Sequence, residues 1–287
     1  MINFASNQKP RKNSAVRKIP VLLTILFSAV WAPVHAAEFS VGVVPQFTTQ
    51  KINDIWTPLL QALNESTGDS YSLVIESDIN EFESAFQRGD YDFAYMNPWH
   101  AVIANREQGY LPILRDGARM LTGILVVQAD SGISDVSQLV DPEIAFPSPN
   151  ALGASLLMRA ELAVEHGIDV SPLYVRTHPS VYLNVALGKS VAGGGVMRTL
   201  RAQPQSIQDA LRVIHETREV APHPVSAHPR VDEKAVARFH KAAVELTHTA
   251  WGRELFAAVP MQAPQEATME DYTPLTEWRL EDFYVAN

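Results

Sequence analysis

From residue 39 onward, short apolar runs alternate with longer amphipathic stretches, and this alternation constrains the chain more than any other feature. Strand, helix, strand in repeated order is the pattern of a parallel sheet covered by helices. Residues 39–44 read as a strand with Phe39, Val41 and Val43 on one face. Ile52, Ile55, Trp56, Leu59, Leu60 and Leu63 recur at helical spacing and predict a helix with one buried stripe, with Gly68 just beyond it. Residues 71–75 give the next strand, 82–88 a short helix closed by Gly89, and 93–96 a third strand. The order resumes at 123–128, a run apolar enough to be buried on both faces. A short helix at 134–139, a strand at 144–146 and a helix at 154–166 ended by Gly167 follow. Residues 174–176 read as a strand, 181–187 as a helix with Ser180 as N-cap and Gly188 as stop, and 211–215 as a strand. From Asp232 the pattern is all helical, with one stripe through Val236, Phe239, Ala243 and Leu246 and another through Trp251, Leu255 and Phe256.

The first 36 residues stand apart from this pattern. Lys9, Arg11, Lys12, Arg17 and Lys18 form a positive region, residues 21–34 an apolar run broken by Pro33, and Val34, His35 and Ala36 a small-residue cleavage signal before Ala37. This is the pattern of a cleaved secretory signal peptide, and the apolar run is short of the roughly 20 residues that span a bilayer. Those residues carry five basic and no acidic side chains, so their removal takes the formal net charge from −9 to −14. An acidic chain does not have nucleic acid as its main partner, because neutralising phosphates needs clustered Lys and Arg. There are no cysteines, which excludes disulfides, thiolate metal sites, cysteine nucleophiles and a lipid-anchored N-terminal Cys.

Two successive α/β units followed by a helical tail predict two lobes with a cleft between them, where ligands sit beyond strand ends. The residue types that suit such a site gather in four segments at predicted strand-to-helix turns, where free amides and the positive helix end favour an anion. The first holds Gln46, Thr48 and Thr49, and the second Tyr95, Asn97, Trp99 and His100. Ser148, Asn150, Gly153, Ala154 and Ser155 lie in the third, and His178 opens the fourth, with Tyr182 one turn on. Each segment alone could be turn or capping chemistry; their coincidence points to a binding site.

Order and spacing of these segments resemble the periplasmic solute-binding proteins of the phosphate, phosphite and phosphonate ABC-transporter family, the PhnD-like proteins. The matching pieces run from Phe39 to Arg230: the strand and helix at 41–63, Tyr91-Asp92-Phe93-Ala94-Tyr95-Met96-Asn97-Pro98, the strand at 123–127 with Asp130-Ser131-Gly132-Ile133, and the segments 146–155 and 178–193. The version here is most similar to the branch used as sensory domains and partners of histidine kinases. The resemblance implies a type II periplasmic binding protein, α/β, with two Rossmann-like lobes joined by two hinge crossings: residues 37–121 plus 216–287 as lobe one, and 122–215 as lobe two. It implies a non-enzymatic role, capture of a small oxyanion for uptake through an ABC-transporter permease, or else presentation of the closed form to a sensor histidine kinase, by an exported periplasmic monomer without cofactor or lipid anchor.

In that family a Pro-Asn-Ser-Thr-Ser-Gly run offers hydroxyls and amides to the ligand. Here it reads Pro149-Asn150-Ala151-Leu152-Gly153-Ala154-Ser155, so two hydroxyls give way to apolar groups, which favours a softer sulfur oxyanion or organic anion over a compact phosphonate. The family's histidine after a strand is matched by His178, and Val191 replaces its acidic residue, while Gly193-Gly194-Gly195 leaves room for close backbone approach to a ligand. His178 and His223 are the expected hydrogen-bond donors, His178 through a charge-assisted bond, with Thr122 near a hinge crossing. His215, His228, His240 and His248 are surface or structural residues. No histidine spacing matches a metal motif, and no nucleophile elbow, P-loop or dinucleotide fingerprint occurs.

Overall fold

A computed structural model describes residues 1–3, 5 and 36–286. The positive and apolar stretches read as a signal peptide fall in residues 6–35, outside the described residues.

The first strand, β1 (Glu38–Val43), leads into α1 (Thr49–Thr67), β2 (Ser70–Val74), α2 (Ile79–Arg88) and β3 (Phe93–Tyr95). Then come α3 (Pro98–Gln108) and β4 (Leu111–Asp116). β1 pairs in parallel with β2 and β3, the arrangement the strand–helix–strand pattern predicts. Helix limits follow local chemistry. The Thr48, Asp78 and Asn97 side chains each accept a bond from a first-turn amide, and Gly68, Gly89 and Gly109 close the three helices at φ near +77°.

The second sheet starts with β5 (Gly123–Gln128) and continues through β6 (Glu143–Phe146), a π-type turn at Leu152–Leu156 that runs straight into α4 (Leu157–Val164), β7 (Ser171–Tyr174) and α5 (His178–Ala186). β8 (Ala192–Val196), α6 (Met197–Arg201), α7 (Gln205–Asp209) and β9 (Leu211–Glu216) complete it. Its strand order is β7-β6-β8-β5-β9, with β6 parallel to β7 and β8, and β5 antiparallel to β8 and β9. Along β5 the alternation of side chains sends Leu125 and Val127 into one apolar cluster and Ile124 and Val126 into the cluster on the other face. Both faces are therefore covered, as the apolar run requires.

The chain then returns to the first sheet through β10 (Val225–Ala227), followed by α8 (Glu233–Leu246), α9 (Ala250–Ala258) and β11 (Pro264–Glu266). That sheet has the order β11-β4-β10-β3-β1-β2. The polypeptide thus passes between the sheets twice, after β4 and after β9. The two passages pair with each other: Leu121 and Val220 exchange amide-to-carbonyl bonds of 2.8 and 2.9 Å, and the Gly123 amide donates to the Thr217 hydroxyl at 2.8 Å.

Several local expectations are corrected. Thr177, not Ser180, caps α5, because the Thr177 hydroxyl accepts the Ser180 amide and the helix starts three residues earlier than the apolar stripe. Gly193-Gly194-Gly195, expected to leave room for a ligand's approach, lies in the buried strand β8, where the missing side chains make room for protein neighbours instead. A Cβ on Gly194 would come within 2.6 Å of the Phe146 ring, and one on Gly195 within 2.1 Å of the Tyr182 hydroxyl. The tail is not all helical, since β11 adds an edge strand, and Trp251 is half-exposed rather than part of a buried stripe. His240 is partly buried, with Nε2 unpartnered among the described residues.

Candidate functional site

The strand ends and helix starts of the two sheets meet around a small cavity of about 20 Å³, room for roughly one water-sized sphere. From the first sheet's side come Val44 and Gln46 beyond β1, Ile79 at the start of α2, Asn97 beyond β3, and Leu121 and His223 from the two passages. The second sheet contributes Ala151, Leu152, Gly153 and Ala154 beyond β6, His178 at the start of α5, and Val196 at the end of β8. Gln46, Asn97, Gly153, Ala154, His178 and His223 of the sequence-derived set are therefore brought together.

The turn at Leu152–Leu156 supplies free donors. The amides of Ser155 and Leu156 already bond the Ala151 carbonyl, whereas those of Leu152, Gly153 and Ala154 donate to no protein group among the described residues. These are the orphan amides of a helix start, and the chain continues helically to Val164, so the positive end of that helix lies at the cavity wall. Gly153 lets the turn pack against β5: a Cβ there would lie 3.2 Å from the Gly123 nitrogen.

His178 and His223 are both buried and both neutral at pH 7. Burial alone pushes the His178 imidazole down to about 4. His223 falls to about 3, first through burial and then through the nearby His100 and His178 rings. The expected charge-assisted bond from His178 is thus corrected, because burial disfavours the charged imidazolium. Its Nδ1 lies 3.2 Å from the Thr199 hydroxyl, which also reaches the Val196 carbonyl at 2.9 Å and the Tyr182 oxygen at 2.7 Å. Tyr182 therefore sits behind His178 as a positioning group. His223 meets the Gln46 amide nitrogen at 2.9 Å and stacks on Tyr95 with ring centroids 5.4 Å apart.

The other expected residues are placed elsewhere. Thr48 and Thr49 are exposed at the start of α1, Thr48 being occupied as its cap. Trp99 is fully buried in α3, away from the cavity lining, with its indole nitrogen unpartnered among the described residues. His100 is buried behind Asn97, its Nε2 2.9 Å from Glu83 Oε1, and Ser148 is buried with its hydroxyl unpartnered among the described residues. Ser155 accepts from Arg159 Nε, and the Asn150 side chain is engaged with Glu83 and Val285. Tyr95 and Thr122 line an adjoining cleft. Ala151 and Leu152, singled out for the hydroxyls they lack, do line the cavity; Val44, Ile79, Leu121 and Val196 were not anticipated, because apolar residues at element ends carry no sequence signal distinguishing wall from core.

Two α/β sheets crossed twice by the chain, with a cavity at their facing strand ends, define a two-lobed binding protein of the periplasmic type. Residues 41–272 match the family described as the periplasmic substrate-binding protein of the phosphonate ABC transporter, and the chain belongs to that family, whose members bind solutes and are not enzymes. Solved structures agree on the fold. The binding-protein component of a phosphonate ABC transporter from Pseudomonas aeruginosa is 14% identical, with a TM-score of 0.76 over 85% of each chain. PhnD1 of Prochlorococcus marinus, solved with methylphosphonate, is 13% identical, with a TM-score of 0.76 over 84% of this chain and 96% of that one. A histidine kinase sensor domain similar to periplasmic binding proteins is 14% identical, with a TM-score of 0.55 over 77% of this chain and 95% of that one.

Proposed function

We propose that this chain is an exported periplasmic protein that captures a small oxyanion between lobe one (residues 37–121 plus 216–287) and lobe two (residues 122–215) and delivers it to an ABC-transporter permease. The observation that carries this reading is the meeting of three unpartnered amides, Leu152 to Ala154, with Asn97, His178, His223 and Gln46 around one cavity. Such a wall offers hydrogen bonds without fixed positive charge. An anion bound to both lobes stabilises the closed arrangement by as much as it prefers that arrangement.

Ala151 and Leu152 favour a softer anion than a compact phosphonate, so sulfur oxyanions and organic anions are the leading ligands. A thermal-shift screen of methylphosphonate, phosphite, phosphate, thiosulfate and tetrathionate tests this. A ligand at about 100 times its Kd adds roughly 2.7 kcal/mol of stability, a readily visible shift. No shift with any oxyanion would overturn the reading; a largest shift with methylphosphonate would overturn only the preference. Mass spectrometry of exported protein checks for a start at Ala37, and light scattering for a monomer. The sensor reading has one support, the shared fold of the histidine kinase sensor domain. Ligand-dependent binding to a kinase's periplasmic domain, with none to a permease, would favour it.

A further inference from the structure

A second, larger space of about 500 Å³ opens beside the inner cavity, and Gln46, Leu121, Val196 and His223 line both. Its wall gathers three arginines, Arg119 from the first passage between the sheets and Arg198 and Arg201 from α6. Eight arginines of this acidic chain each reach a carboxylate: Arg88, Arg106, Arg115, Arg176, Arg218, Arg230, Arg238 and Arg279. Arg119, Arg198 and Arg201 reach none within ion-pair distance among the described residues. Two carboxylates share the cleft with them, Asp116 and Glu216. Asp116 Oδ1 is already bonded by the amides of Ala118 and Ala263, both at 2.9 Å.

The guanidinium groups keep donors in reserve. Arg198 uses one terminal nitrogen on the carbonyls of Ala257 and Ala258, and Arg119 one on the Gln262 side chain. Burial lowers the proton affinity of Arg198 most, Tyr95 raises it, and the like charge of Arg119, in the same cleft, lowers it again, with Asp116 acting against that repulsion. Like charges left together beside a cavity, with a carboxylate close by that does not pair with them, mark a place where an anion relieves the repulsion. His223 lines both spaces and stacks on Tyr95, which lines the larger one.

We propose that the cavity and the cleft form one site for a two-ended organic anion, with an oxyanion head at the Leu152–Ala154 amides and a carboxylate or second phosphoryl group at Arg119 and Arg198. This rests on the reading of the inner cavity as an anion site, and it adds that a compact inorganic oxyanion fills only half of the site. A phosphono- or sulfocarboxylate with a short carbon linker has the required chemistry.

The test is calorimetry on the mature chain with methylphosphonate as the one-ended probe and 3-phosphonopropionate as the two-ended probe. The two-ended probe should bind at least tenfold more tightly, and Arg119→Gln and Arg198→Gln should each bring the ratio of the two Kd values towards one. His178→Ala should weaken both probes and keep the ratio. Equal affinity of the two probes for the wild type, or an unchanged ratio in both arginine variants, overturns this proposal while leaving the anion site intact. Failure of both probes to bind overturns this proposal, and the reading of the inner cavity falls with it only if thiosulfate and tetrathionate also fail to bind.

Discussion

The side chain of Asn150 and the backbone of Val285 exchange two hydrogen bonds, Nδ2 donating to the Val285 carbonyl at 2.7 Å and the Val285 amide donating to Oδ1 at 3.0 Å. Asn150 Nδ2 also donates to Glu83 Oε2 at 2.9 Å, and its carbonyl accepts from Asn97 Nδ2 at 3.0 Å. A loop following a strand of the second sheet is thereby tied to α2, to the cap of α3 and to the chain's last residues. Arg159 adds to the tie, donating through one terminal nitrogen to the Pro149 and Phe283 carbonyls.

Asn150→Ala should therefore act on stability before it acts on binding. It removes the partners of the Val285 amide and carbonyl and one donor to the buried Glu83 carboxylate, at a cost of about 3 kcal/mol. Urea unfolding of the two proteins measures this. A loss below about 1 kcal/mol would mean that Val285 and Glu83 find other partners.

Much of the fold was legible because its strands and helices have clean periods. The β1–α1–β2–α2–β3 order could be read from Val41, Val43 and the Ile52–Leu63 stripe. β8 could not, since Ala192 and three glycines have no apolar pattern, and it is a strand only because Phe146, Val181, Val185 and Tyr182 fill the space beside it. The candidate site was half legible for a related reason. Asn97, Gly153 and His178 announce themselves as cap, tight turn and helix start. Nothing local separates Asn97, which lines the cavity while its side chain bonds His100 and the Asn150 carbonyl, from Asn150 and His100, which reach Glu83; that division is made by tertiary packing.

Acidity should destabilise the protein well before its carboxylates are protonated. His178 and His223 titrate near 4 and 3 when folded and near 6.5 when unfolded, so between those values the unfolded chain binds more protons. Their contribution is whole above about pH 6.5 and fades as pH falls towards 4 and then 3, each shift amounting to a few kcal/mol. Unfolding free energies from pH 7.5 to 4.5 should fall steeply in the wild type and less steeply in His178→Asn. Parallel curves would show that His178 is protonated inside the fold.

Gly194→Ala should be among the most damaging single-methyl additions to this protein. The new Cβ would lie 1.9 Å from the Ala154 carbonyl oxygen and 2.6 Å from the Phe146 ring, and neither a backbone carbonyl nor a buried ring can move far. Overpacking costs about 1–3 kcal/mol in ordinary cores, and more where backbone must shift. Because Ala154 belongs to the cavity wall, oxyanion binding should weaken along with thermal stability. A variant with unchanged midpoint and affinity would show that β8 and the turn at Leu152–Leu156 slide apart freely.

Restoring the two missing hydroxyls tests whether the cavity wall sets ligand preference. Ala151 and Leu152 both line the cavity, and both belong to the apolar cluster that the first sheet's helices build. Ala151→Ser is a small change at a nearly buried position, whereas Leu152→Thr removes apolar volume and should cost about 2 kcal/mol of stability. Each hydroxyl can give a compact dianion one charge-assisted hydrogen bond, worth roughly 1.5–3 kcal/mol. The double variant should therefore bind methylphosphonate at least tenfold more tightly than the wild type while unfolding at a lower temperature, and its affinity for a softer anion such as thiosulfate should rise much less. Calorimetry with the two anions on both proteins separates these outcomes. Unchanged methylphosphonate affinity in a folded double variant would show that the head group is held by the Leu152–Ala154 amides and His178 alone, and that the two substitutions do not explain which anion this chain prefers.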